Sequence, residues 1–148
     1  MNGLIAHALI YNEKGEFLII KRSLIKRGKP NYNAGLWDIP GGTVEERELP
    51  KKAAIIEAKE EVALDIFISK ILYEMSEYDF EKDKVFTTLI YEGGLANNSQ
   101  IILDPEEHSD YRWITFKKLN EVGLSNVVNY LRDLYSMFRI CKESFEDE

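Results

Sequence analysis

The sequence has few of the features that disulfide-bonded, membrane-spanning or nucleic-acid-binding proteins share. Its 148 residues include one cysteine, Cys141, so the chain cannot close an internal disulfide. We find no apolar run long enough to cross a bilayer and nothing that resembles a signal peptide, so we expect a cytoplasmic protein without membrane partners. A formal net charge of -7 argues against stable binding to nucleic acids or anionic membranes, which are themselves negative.

The apolar content is sufficient for a sizeable core. Hydrophobic residues make up 45% of the chain, and at this length they can bury a core without help from disulfides. No internal repeat or domain linker interrupts the sequence, so residues 1–148 are predicted to form a single domain. Its last residues, 143–148, are rich in acids and are predicted to be a frayed, solubilising tail.

Periodicity predicts strands, then a helix, then more strands and closing helices. Two apolar runs, Leu4 to Tyr11 and Glu16 to Arg22, are separated by a turn-like segment and predict a hairpin. The later elements are predicted as a short strand from Leu36 to Ile39, a strand from Val85 to Glu92, a loop at 93–100, a strand from Tyr111 to Ile114, a helix capped by Thr115 and ending at Glu121, and a helix capped by Ser125 and ending near Cys141. This order favours the α/β class, with helices packed on a mixed sheet.

The most informative stretch contains three glutamates in helical spacing. Pro50 suits a first helical turn, and the residues after it include no internal Gly or Pro. On that helix Glu57, Glu60 and Glu61 share one face, beside a predicted buried stripe of Ala54, Ile55, Ala58 and Val62. Like charges at these positions repel, so the cluster suggests a cation between them. A hard, oxygen-preferring ion such as Mg²⁺ or Mn²⁺ is expected.

The residues just before this helix add a flexible backbone to the acidic face. Trp37 to Pro40 reads as a short strand closed by proline. The pair Gly41-Gly42 then permits backbone torsions and close approaches that a side chain would prevent. Together the strand, the glycine loop and the helix predict a cradle for a metal ion and a diphosphate.

These residues resemble the Nudix hydrolase family, whose members include the MutT-like proteins. The family signature is matched in register by Gly42, Glu48, Glu57, Ala58, Glu60, Glu61 and Leu64. Two positions depart from it: Ile56 stands where the family has Arg, and Ala63 stands where it has the second Gly. The resemblance implies an α/β/α sandwich around a mixed sheet, and it extends over most of the chain.

The resemblance also implies roles for individual residues. Glu60 and Glu61 are expected to bind the metal, Glu57 to act as a ligand or as the general base, and the Gly41 carbonyl to be a further ligand. Gly42 and Glu48 are expected to orient the loop and the helix. In a late loop, Glu107 with His108 provides an alternative base or an extra ligand. His7, in an apolar strand, is expected to be a hydrogen-bonded core residue.

The expected activity is divalent-metal-dependent hydrolysis of a diphosphate linkage in a nucleoside diphosphate derivative or a nucleoside triphosphate. The alternative is a Nudix-fold nucleotide-binding or regulatory module with weak catalysis, which the missing Arg at Ile56 keeps open. The sequence does not select one small-molecule substrate. A homodimer is possible through sheet edges or the last helix, and the basic residues Lys26, Arg27 and Lys29 either meet phosphates or are simply solvated.

Overall fold

The computed structural model describes residues 2–146, and the side chains of residues 2–140. Its strands are β1 (Gly3–Tyr11), β2 (Phe17–Arg22), β3 (Ile25–Lys26), β4 (Lys29–Pro30), β5 (Trp37–Asp38), β6 (Gly41–Thr43), β7 (Ile66–Asp79), β8 (Lys84–Leu95) and β9 (His108–Ile114). Its helices are α1 (Pro50–Val62), α2 (Phe116–Val122), a short 3-10 helix (Leu124–Asn126) and α3 (Asn129–Glu146).

The main sheet is mixed, and β1 lies near its centre. The strand order is β5-β2-β1-β8-β7, with β6 paired to β1 and β9 paired to β2. β1 runs parallel to β8 and antiparallel to β2 and β6. In this register His7 of β1 lies opposite both Gly41 of β6 and Ile90 of β8. The first residue of the glycine pair is therefore built into the sheet.

Helices cover the sheet on both faces because β1 alternates its side chains between two cores. Ala6, Ala8 and Ile10 pack in one core with residues of α1. Leu9 points into the other core, which contains residues of α2 and α3. This arrangement confirms the predicted α/β/α sandwich with a mixed sheet.

Helix α1 begins and ends as its sequence suggests. Pro50 occupies the first turn, and Ala53, Ala54, Ala58 and Val62 form the buried stripe, so Ala53 takes the fully buried place expected for Ile55. The helix is closed by Ala63 in the left-handed conformation, with φ 61 and ψ 26. Its N–H donates to the Lys59 carbonyl at 3.1 Å.

The last helix was predicted to begin too early. Ser125 lies in the 3-10 helix, and α3 starts at Asn129. Between them Val127 is extended and forms a bridge with Trp37, while the Val128 N–H donates to the Trp37 carbonyl at 3.0 Å. The intervening chain is thus held by the sheet and cannot join the helix. The Thr115 cap of α2 is confirmed, since its side chain accepts a hydrogen bond from the Lys118 N–H.

Other element boundaries also differ from the prediction. β8 continues to Leu95 because Gly93 and Gly94 pair with β7, and β9 already begins at His108. The basic loop contains the small hairpin β3–β4. At the other end α3 passes Cys141 and keeps the backbone helical to Glu146, whereas positions 147 and 148 of the predicted tail lie outside the described residues. Across residues 2–146, no helix is long and apolar enough to cross a membrane.

Candidate metal centre and active site

Packing of α1 beside β1 and β6 brings two of its acids to the glycine pair. The Gly41 N–H donates to Glu61 Oε2 at 3.4 Å. A Cβ atom placed on Gly42 would lie 2.8 Å from the carboxyl carbon of Glu57. No side chain fits in that space without displacing the carboxylate. The glycine at position 42 is therefore required for the close approach of Glu57 to the loop.

Both acids lie where negative charge is poorly compensated. Burial raises the pKa of Glu57, and the neighbouring charge of Glu60 raises that pKa further. Burial also raises the pKa of Glu61, well above its ordinary value, and the charges of Asp38 and Glu57 add to this effect. A bound divalent cation would reverse both effects, because it favours the ionised carboxylates.

Glu107 reaches the same region from the loop before β9. Its charge contributes to the raised pKa of both Glu57 and Glu61. Glu107 Oε1 forms an ion pair with Lys26 Nζ at 2.8 Å, and the Glu107 carbonyl accepts from the Ser23 N–H at 2.9 Å. The fold thus brings this late-loop acid to the acidic face of α1, with its carboxylate already paired to a cation of β3.

The remaining predicted acids have more peripheral positions. Glu60 is exposed on the outer surface of α1. Glu48 accepts a hydrogen bond from the Glu45 N–H at 3.1 Å, so its carboxylate braces the loop between β6 and α1. Its charge also contributes to the raised pKa of Glu57. Ile56, at the position of the family Arg, has 44% of its surface exposed.

The donors in this region fit a hard divalent cation in kind. They are carboxylates and a backbone carbonyl, the oxygen ligands that Mg²⁺ and Mn²⁺ prefer. Among the side chains of residues 2–140, no three of His, Cys, Asp or Glu are already gathered into a metal site. The fit therefore rests on the close approach of Glu57 and Glu61 to the glycine pair and on the raised pKa of both carboxyl groups.

Sequence reasoning missed a buried polar group behind these acids. Asp38, with 2% of its surface exposed, accepts hydrogen bonds from the Ile39 N–H, from Arg22 and from the Tyr130 hydroxyl. Burial and the Asp38 charge raise the pKa of Tyr130 well above its ordinary value. The one signal available in the sequence was an acid inside an otherwise apolar strand, where a charge needs partners.

The two histidines are both buried. His7 Nδ1 bonds the Ile39 carbonyl at 2.9 Å, which confirms that it is a hydrogen-bonded core residue. His108 was expected in a late loop, as part of an alternative base or ligand, but it begins β9 and is 4% exposed. Burial lowers its pKa, and its Nδ1 has no hydrogen-bond partner among the described residues. A neutral, enclosed imidazole is a poorer candidate for proton transfer than the Glu107 carboxylate beside it.

Other residues considered from the sequence lie apart from the acids. Arg27 and Lys29 are exposed on the β3–β4 hairpin, and Trp37 is buried in the core on the α3 side. Two open surface cavities of about 570 and 890 Å³ share Asn12 and Leu95 in their walls, and neither wall includes a predicted site residue. Both cavities therefore lie apart from the candidate centre.

Comparison with known proteins identifies the family. The family model of the NUDIX domain matches residues 1–135. An uncharacterised Nudix hydrolase of Listeria innocua is 38% identical over 126 residues, which cover 82% of this chain and 69% of the relative. An RNA pyrophosphohydrolase of Nitratiruptor sp. is 30% identical over 120 residues, covering 74% of this chain and 72% of that protein.

A solved structure agrees over nearly the whole length. The crystal structure of a MutT protein from Methanosarcina mazei Go1 superposes with a TM-score of 0.77 and 30% identity, covering 95% of each chain. The domain match, the sequence relatives and this structure agree with the glycine pair and acidic helix described above. The chain therefore belongs to the Nudix family and is a MutT-like Nudix pyrophosphohydrolase.

Proposed function

We propose that the protein hydrolyses a diphosphate linkage in a nucleoside diphosphate derivative or a nucleoside triphosphate, with Mg²⁺ or Mn²⁺ bound at the acidic face of α1. The observation that carries the proposal is the meeting of Glu57 and Glu61 with the glycine pair, where both carboxyl groups have a raised pKa. A divalent cation bound there would stabilise the ionised form of both carboxyl groups, and the reaction requires such a cation.

The chemistry explains that requirement. The phosphorus atoms of a diphosphate are surrounded by anionic oxygens, which repel an attacking water. A divalent cation supplies the neutralising charge when it is bound. Glu60 and Glu61 would hold it, together with the Gly41 carbonyl, and Glu57 is either a further ligand or the base. Gly42 and Glu48 would keep the loop and α1 in the required orientation.

The structure favours Glu57 over Glu107 as the base. The Glu57 carboxyl group lies against Gly42, beside the proposed cation, where it can position or deprotonate the attacking water. Glu107 is engaged by Lys26, and this ion pair must loosen before its carboxylate can take a proton. Glu107 is then the second candidate, as base or as additional ligand.

The substrate is proposed only as a class. Related proteins carry names as different as RNA pyrophosphohydrolase and putative 8-oxo-dGTP diphosphatase. We expect a small nucleotide bound without stable contacts to a nucleic acid, since the formal net charge is -7. A cytoplasmic location, and a homodimer formed through a sheet edge or α3, remain proposals of the same kind.

The test is a substrate panel. Purified protein is incubated with Mg²⁺, or with EDTA, and canonical and oxidised nucleoside triphosphates, dinucleotides and nucleotide sugars, and the released phosphate species are identified by phosphorus NMR. We expect cleavage of at least one compound with Mg²⁺ and none with EDTA. Cleavage that persists in EDTA would contradict the metal requirement. Tight binding without turnover would favour the weakly catalytic module that Ile56 leaves open.

A further inference from the structure

A buried polar cluster connects α3 to the segment that leads into the glycine pair. We call it the Asp38 cluster, and it consists of His7, Arg22, Asp38 and Tyr130. The Asp38 carboxylate accepts from the Ile39 N–H at 2.7 Å, from Arg22 Nη1 at 3.1 Å and from the Tyr130 hydroxyl. Three donors from different parts of the chain are therefore directed at one carboxylate on β5.

The same segment is held from its other side by His7. The imidazole Nδ1 donates to the Ile39 carbonyl at 2.9 Å. A Cβ atom on Gly41 would lie 2.3 Å from this nitrogen, so the ring is in direct contact with the Gly41 backbone. The rings of His7 and Tyr130 also pack together, with 4.8 Å between their centroids. Residues 38–41 are thus fixed between a strand and the first turn of α3.

Stability alone is a weak explanation for this cluster. A buried carboxylate must be desolvated, and apolar residues of similar volume often stabilise a core equally well. Here the Asp38 charge also opposes ionisation of Glu61. Unlike apolar packing, the hydrogen bonds of the cluster fix the orientation of the backbone and of the side chains that they join.

We propose that Tyr130 is a positioning residue for the candidate metal centre, and that its hydroxyl acts through Asp38 to hold Gly41 against the acidic face of α1. The inference rests on the proposed function, since it assumes that Gly41 and the α1 acids bind a divalent cation. Outer partners that orient metal ligands typically change metal affinity 10–100-fold when they are removed.

The test compares two tyrosines that each join the sheet to α3. Tyr130→Phe removes the hydroxyl bonded to Asp38, whereas the control Tyr73→Phe removes a hydroxyl that donates to Asp133 at 3.3 Å, on the edge strand β7. Mn²⁺ affinity is measured by calorimetry without substrate, and amide hydrogen exchange at Gly41 is measured without metal. We expect Tyr130→Phe to weaken Mn²⁺ binding about 10-fold or more and to speed exchange at Gly41. Tyr73→Phe should leave both within about twofold of wild type.

A folded Tyr130→Phe protein with unchanged Mn²⁺ affinity and unchanged exchange at Gly41 would overturn the proposal. A wild-type protein that binds no Mn²⁺ would instead overturn the proposed function. In that case faster exchange at Gly41 in Tyr130→Phe alone still supports the positioning, and unchanged exchange refutes it.

If Tyr130→Phe does not fold, a second pair of variants tests the His7 hydrogen bond that holds the same segment from its other side, on which the position of Gly41 also depends. His7→Asn retains a donor for the Ile39 carbonyl, and His7→Leu does not. Only the Leu variant should show faster exchange at Gly41 and weaker Mn²⁺ binding. Equal behaviour of the two variants would refute the positioning.

Discussion

Glu61 has an environment that conflicts with its ordinary charge. Burial and the nearby charge of Asp38 raise its pKa well above the usual carboxyl range. Between the ordinary carboxyl pKa and this raised pKa, the folded protein therefore holds a proton that the unfolded chain has already released. Stability without metal should then fall as the pH rises from the ordinary carboxyl range through the raised pKa. Below that range Glu61 is protonated in both the folded and the unfolded protein, so it no longer destabilises the fold.

Glu61→Gln should consequently raise the melting temperature of the metal-free protein at neutral pH. The gain should shrink as the pH is lowered through the folded pKa, because the wild-type carboxyl then becomes neutral too. Thermal unfolding in EDTA across a pH series measures this difference. The control Glu46→Gln, on an exposed loop residue, should show no such gain. A lower melting temperature for Glu61→Gln at neutral pH would contradict the assigned environment.

Glu57 and Glu107 can be separated by matched changes. If Glu57 deprotonates or positions the water, Glu57→Gln should lower kcat by roughly two or more orders of magnitude while KM changes less. Glu107→Gln should have the smaller effect, since that carboxylate is held by Lys26. Steady-state kinetics on both variants shows which of the two residues acts as the base. A large loss in Glu107→Gln with little loss in Glu57→Gln would exchange the two roles.

Because of Ile56, the acidic face of α1 lacks the positively charged arginine side chain that the family has at this position. An Arg at this half-exposed position would lie one turn before Glu60 and within reach of Glu48. Ile56→Arg should therefore raise turnover, whereas Ile56→Gln, which adds polarity without charge, should not. Initial rates on the best panel substrate test this. Unchanged or lower turnover in a folded Ile56→Arg protein would mean that the chain compensates elsewhere.

Residues of the site differed in how far the sequence could predict them. The α1 acids and the glycine pair are encoded in one continuous motif, so spacing alone placed them on a common face. Asp38 and Tyr130 are separated by 92 positions and meet only after α3 folds onto the sheet. No local pattern encodes such a contact, and the cluster was therefore visible only in three dimensions.

At the scale of elements, the end of α1 contains a residue in an unfavourable backbone conformation. Ala63 adopts the left-handed conformation with φ 61, where a Cβ atom is disfavoured by about 1 kcal/mol relative to glycine. Ala63→Gly should therefore raise the melting temperature by roughly 2–4 °C. The matched change Ala58→Gly, inside the helix, should lower it. A lower melting temperature for Ala63→Gly would show that the contacts of the Ala63 side chain stabilise the protein by more than the left-handed conformation destabilises it.

Element boundaries were predictable where the signals are local. Pro50 and the Thr115 cap marked the starts of α1 and α2 because each acts within one helical turn. The predicted start of α3 was wrong because Val127 forms a β-bridge with Trp37, which is far away in sequence. β8 was predicted too short for the same reason, since Gly93 and Gly94 are extended through their pairing with both β1 and β7.

For the molecule as a whole, composition and element order indicated the α/β class and no more. The strand order depends on the parallel pairing of β1 with β8, which joins distant parts of the chain. The sandwich was expected from the family resemblance, and the structure confirms it. This architecture places the acidic face of α1, the loop carrying Glu107 and the first turn of α3 around one end of the glycine pair.

Binding of a divalent cation by the α1 acids is the property on which the proposed activity most depends. Calorimetric titration of Mn²⁺ into substrate-free wild type, Glu60→Gln and Glu61→Gln tests it directly, with Glu46→Gln as the control. We expect each of the two α1 variants to stay folded and to bind Mn²⁺ at least about 10-fold more weakly, while the control binds like wild type. Mn²⁺ affinity that is unchanged in both α1 variants would contradict this expectation.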